Sequence, residues 1–154
     1  MINWHYFPET KSPEEKVKKV LNVFLKKEKD FVSKTTIIKE LGKELQKLGF
    51  DFGSNKKQSV PILYGEKGKI LRSIETDILN IKDKIYLHIT DDDILESREL
   101  YKLIFDCSIL QVGTLILVVK NKDKYENLID FISEVLSRET TIWIYVKEIL
   151  IIGF

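Results

Sequence analysis

Two carboxylates two residues apart, Glu75 and Asp77, stand in the run Ile74-Glu75-Thr76-Asp77. On a strand that spacing places both on one face. Hard oxygen donors of this kind suit Mg²⁺ or Mn²⁺. Such an ion neutralises a phosphodiester and makes a hydroxide-like nucleophile near neutral pH. His88 lies in Ile85-Tyr86-Leu87-His88-Ile89-Thr90, where the apolar set 85, 87, 89 turns 86, 88 and 90 to the other face. Its imidazole is a poor magnesium ligand and a better one for manganese or another transition ion. Lys102 lies in Glu99-Leu100-Tyr101-Lys102-Leu103, and Glu40 and Glu44 stand one helical turn apart.

Each of these residues also has a purely structural account. Asp77 suits a solvated strand end, and Glu75 a cross-strand partner for a lysine. Glu40 and Glu44 have Lys43 and Lys47 at i+3 on an exposed helix face. Asp91-Asp92-Asp93 precedes a helix, where N-capping and the helix dipole favour acids. A second kind of chemistry is phosphate contact. Lys56-Lys57, Lys67-Gly68-Lys69 and a lysine-rich first helix could position a duplex without reading its sequence. No aromatics interleave with these lysines, so nothing specific points to single strands.

The composition narrows the field. A chain of 154 residues, 44% apolar and 32% charged, is globular and long enough for a real core. A net charge of +1 gives no global basic field. The lone Cys107 excludes an intrachain disulfide and a cysteine-rich zinc site. There is no glycine-rich phosphate loop and no Gly-x-Ser-x-Gly elbow. Without a leader pattern or a membrane-length apolar run, a cytoplasmic protein is expected.

The elements that must hold these residues follow from periodicity. Ser12-Pro13-Glu14-Glu15 reads as N-cap, N1 and N3 of a first helix, with Val17, Val20, Leu21, Phe24 and Leu25 as its stripe. A second helix spans 33–48 and ends at Gly49. The period then becomes strand-like. Strands at 60–64, 69–79 and 84–90, separated by turns at 65–68 and 80–83, make an antiparallel meander. A helix over 96–109 precedes the continuous apolar run 114–119, a strand covered on both faces. A helix at 124–137 and a strand at 141–147 follow. The apolar end, 149–154, is free to pack or to pair with a second subunit in a homodimer. The fold class is α/β, a mixed sheet flanked by helices.

A helix, a three-stranded meander, a crossover helix and a buried strand over residues 34–120 resemble the core of the PD-(D/E)XK, restriction-endonuclease-like superfamily. In this view 1–33 is an N-terminal helical extension and 121–154 a C-terminal helix and strand, all within one domain. The resemblance implies a metal-binding aspartate at the end of the second strand, where Asp77 stands, and a basic residue on the crossover helix, where Lys102 stands. It implies an extra acid on the preceding helix, at Glu40 or Glu44. The third strand departs from the family, because its Glu-x-Lys falls at His88-x-Thr90. The expectation is therefore a DNA-associated protein. It is either an Mg²⁺- or Mn²⁺-dependent endonuclease with a divergent site, or a silent relative that binds DNA or protein. An unrelated α/β domain that assembles through its C-terminal strand stays open beside these.

Overall fold

The computed structural model describes residues 1–27, 33–52, 58–76, 78–90, 97–120, 122–134, 138, 143 and 146–154. In chain order the elements are β1 (Asn3–Phe7), α1 (Glu15–Leu25), α2 (Lys34–Lys47), β2 (Asp51–Phe52), β3 (Gln58–Tyr64) and β4 (Ile70–Thr76). They continue with β5 (Ile78–Asn80), β6 (Ile85–Ile89), α3 (Ser97–Ile109), β7 (Thr114–Val119), α4 (Lys122–Glu134) and β8 (Glu148–Gly153).

Six strands form a mixed sheet in the order β1-β8-β7-β6-β5-β2. The central trio β6, β7 and β8 is parallel, while β1, β5 and β2 pair antiparallel with their neighbours. Side-chain alternation gives the sheet two apolar faces. Ile85, Leu87 and Ile89 of β6 join Val17, Phe24, Ile37, Leu41 and Leu45 from α1 and α2. Tyr86 turns the other way, into a cluster with Leu100, Leu103 and Cys107 of α3 and Leu128 and Ile132 of α4. Every residue of β7 and β8 is buried, as expected for strands covered on both sides. Each fully buried Leu, Ile or Phe here contributes about 1.5–3 kcal/mol of apolar transfer energy.

Local chemistry sets the helix ends. Ser33 caps α2, its hydroxyl accepting from the Thr36 N–H at 3.2 Å. Gly49 takes a φ of +100° just past α2, where glycine alone is unstrained. Asn80 ties that end to the sheet: its amide donates to Leu48 O at 2.9 Å, and its side-chain oxygen accepts from Asp83 N–H at 3.0 Å. The turn expected at 80–83 is thus a side-chain-closed one.

Four expectations are corrected. The first helix starts at Glu15, not Pro13, because Glu14 is extended (ψ 158°) and supplies the carbonyl that receives Val17 and Lys18. Ser12 caps nothing, and Leu25 is exposed while Val23 is buried. The meander is not continuous. β3 and β4 form a separate two-stranded ribbon, and the short β2 takes the first place beside β5. Pro61 lacks a ladder donor, and the ribbon shifts register on both sides of Leu63. The last strand lies at Glu148–Gly153 rather than 141–147: Trp143 is helical, and 141, 142, 144 and 145 fall outside the described residues. Finally, the chain end is interior. β8 bonds to β7 on one side and to β1 on the other, so neither of its edges is open to a second subunit. The edges of the six-stranded sheet are β1 and β2.

Candidate functional site

The centre of the expected site is the junction of β5 and β6. Ile78 pairs with Leu87, so position 88 follows directly on the paired residue of β6 and position 77 directly precedes its partner on β5. Asp77 itself lies outside the described residues, as do Lys56, Lys57 and Asp91–Asp93. His88 is half-buried on the α3 side of the sheet, opposite Leu117 of β7. Thr90 is buried, and its N–H and hydroxyl both donate to Val118 O, at 3.0 and 3.1 Å. The position where the resemblance expects a lysine is spent on closing the sheet.

The other candidates lie apart. Glu75 is exposed on the β3–β4 ribbon, opposite Ser59, and has no place in the six-stranded sheet. Its expected lysine partner is not across the strand. Glu40 lies on α2, which packs on the face carrying Ile85 and Leu87, the reverse of the His88 face. Its carboxylate meets Lys27 Nζ at 3.7 Å, and Lys27 also donates to its carbonyl oxygen. Lys27, just past the end of α1, therefore bridges to α2. Glu44 is half-buried one turn on. Lys102 is largely exposed and turns along its own helix to Asp106 Oδ2 at 3.0 Å, a carboxylate that is itself buried. Among the described residues no group of three or more His, Cys, Asp or Glu side chains converges. The described donors do not fit a magnesium or manganese site.

Lys67 and Lys69 sit at the exposed tip of the ribbon, with Lys67 in a left-handed turn conformation (φ +57°) beside Gly68. Arg72 follows on β4 and is exposed as well. The same ribbon exposes Ile62, Leu63, Tyr64, Ile70 and Leu71, each by 39% or more. These apolar residues were not singled out by periodicity, because both faces of a solvated ribbon read like a buried strand.

A polar cluster also escaped the sequence reading. Glu148, 4% exposed, accepts from Tyr6 OH on Oε2 and from Thr114 OH on Oε1, both at 2.6 Å. It joins β1, β7 and β8 at one end of the sheet. Burial, then the hydrogen bond and charge of Glu148, push the Tyr6 phenol well above its ordinary range. The only signal was an isolated acid ahead of Ile149-Leu150-Ile151-Ile152. The Cys107 thiol is likewise pushed up, first by burial and then by Asp106, which makes it an inert core residue. No helix among the described residues is long and apolar enough to cross a membrane. Compared with known proteins, the chain matches no family model, no curated protein and no solved structure.

Proposed function

We propose that this chain is a DNA-associated protein built on a restriction-endonuclease-like core, and that it holds duplex DNA rather than cutting it. The observation that carries the reading is the order and direction of the core elements. α2 lies on one face, β2, β5 and β6 run antiparallel, α3 lies on the other face, and β7 returns parallel to β6. That arrangement supports the family resemblance better than the simple meander did. The separation of Glu40, Glu75, His88 and Lys102, with Thr90 bound into the sheet, supports binding over hydrolysis. The ribbon cations Lys67, Lys69 and Arg72 are the contacts to phosphate, and a two-stranded ribbon is narrow enough for a major groove.

A second reading has its own support. The exposed apolar side chains of β3 and β4 suit a protein surface better than a phosphate backbone, and favour a protein-binding module on the same scaffold. One experiment separates these. Plasmid and branched DNA are incubated with the protein in Mg²⁺ and in Mn²⁺, beside Asp77→Ala, and binding to a duplex is measured across salt. The proposal expects no cleavage and salt-dependent binding that a Lys67→Ala/Lys69→Ala/Arg72→Ala variant weakens. Cleavage abolished by Asp77→Ala would restore the enzyme. Absence of both cleavage and binding would leave the protein-binding reading.

A further inference from the structure

Toward the other edge of the sheet from the β5–β6 junction, at the end where β1 finishes and β8 begins, a cleft of about 630 Å³ opens beside α4. That volume falls within the range of small-ligand sites, about 300–1,000 Å³. Phe7 and Pro8 form an apolar wall, and the Trp143 indole stands among the other lining residues with the Ser133 hydroxyl. Phe7 is 4% exposed, so its ring is a fixed surface rather than a mobile one. Two cations, Lys11 and Lys147, stand in the described lining, and both are exposed. Neither makes an ion pair among the described residues. Lys147 is held in place, its backbone N–H donating to Gly113 O at 2.8 Å and its stem lying over Gly113. The acid of the described lining, Glu9, is engaged by the His5 ring at 2.8 Å.

We propose that this cleft binds a small aromatic anion, a planar ring that carries a phosphate or a carboxylate. The ring lies against Phe7, Pro8 and Trp143, as flat apolar groups do against aromatic faces. The anionic group meets Lys11 and Lys147. Such a ligand could be a mononucleotide or an aromatic acid, and the site is independent of the DNA-binding reading.

The chain has two tryptophans, Trp4 and Trp143, so Trp4→Phe leaves Trp143 as the sole reporter. Its fluorescence is titrated with AMP, with 2-naphthoate and with uncharged adenosine. Saturable change is expected with AMP or with naphthoate, and whichever binds names the source. Adenosine should bind at least about tenfold more weakly than AMP if AMP is the ligand. Lys11→Ala/Lys147→Ala should weaken the anion by about tenfold or more, and Glu9→Gln should tighten it about two- to threefold. Far-UV circular dichroism and the urea midpoint check that the variants stay folded. No saturable change with either anion up to about 10 mM overturns the proposal, as does anion binding indifferent to the two lysines. DNA binding should be unchanged by these substitutions, because the described lining holds none of Lys67, Lys69 and Arg72, so failure here leaves the proposed function standing.

Discussion

Removing Glu148 should cost more than removing either hydroxyl it binds. The carboxylate is 4% exposed and takes one hydroxyl on each oxygen, both at 2.6 Å. Tyr6→Phe deletes one charge-assisted bond, a loss of about 1.5–3 kcal/mol. Glu148→Ala deletes both bonds and also leaves Tyr6 and Thr114 as buried hydroxyls without that acceptor. Each such orphan costs about 1–3 kcal/mol, so a total of about 2–6 kcal/mol is expected. The two residues act as a unit, and in a Tyr6→Phe background Glu148→Ala should cost about 1.5–2 kcal/mol less than in the parent. Urea denaturation at pH 7 of the four proteins of this cycle gives the coupling energy directly, provided the denaturant slope stays constant. A coupling below about 0.5 kcal/mol would refute the reasoning, because it would mean that water replaces the lost partner. DNA binding measured on the folded variants should not change, since Tyr6, Thr114 and Glu148 belong to β1, β7 and β8 and not to the β3–β4 ribbon proposed to contact phosphate.

Three further outcomes are expected. Stability should fall in alkali: Tyr6 has a folded pKa raised above its unfolded value of 10.0, so the unfolded chain ionises first and stability is lost as pH rises through that region. The slope is about 1.4 kcal/mol per pH unit for each such group, and Tyr6→Phe should flatten it in a series of denaturation curves above pH 10. Gly153→Ala should destabilise by about 1–3 kcal/mol, because the new Cβ would lie 2.7 Å from Tyr125 Cδ2, and Tyr125→Ala should relieve most of that overpacking. Thr90→Lys, which places a lysine where the resemblance expects one, should lose about 3 kcal/mol or more by breaking the hydroxyl bond to Val118 O and burying an ammonium; a stable, folded variant by thermal melting would show that the position opens to solvent.

Much of the fold was legible because periodicity reports burial directly. The second helix with its Gly49 stop, the helix ahead of the apolar run, and the doubly covered run of β7 all stand where their spacing put them. The errors share a cause. A run of apolar residues says that a segment is strand-like, but not which neighbour it pairs with. Residues 58–76 therefore looked like part of the sheet although they form a ribbon of their own. Likewise 149–154 read as apolar enough to pack or to pair, but its spacing did not say that it is the strand between β1 and β7. β1 was missed for the complementary reason: Asn3-Trp4-His5-Tyr6-Phe7 shows no clean alternation, since one of its edges and part of its surface are exposed.

The site was harder to read than the fold, because chemistry depends on which face each helix covers. Once the strand order is known, that is a matter of topology. The connections β6–α3–β7 and β7–α4–β8 both step the same way along the sheet between parallel strands. Crossovers of one hand must then put both helices on one face. α3 and α4 do share a face, and α1 and α2 take the other. His88 has the parity of the α3 face and Glu40 rides on α2, so the sheet stands between them. A histidine and a glutamate that appear compatible in the linear chain are thereby separated. A catalytic role for Glu40 would require it to reach around the sheet edge, past a lysine that already holds its carboxylate.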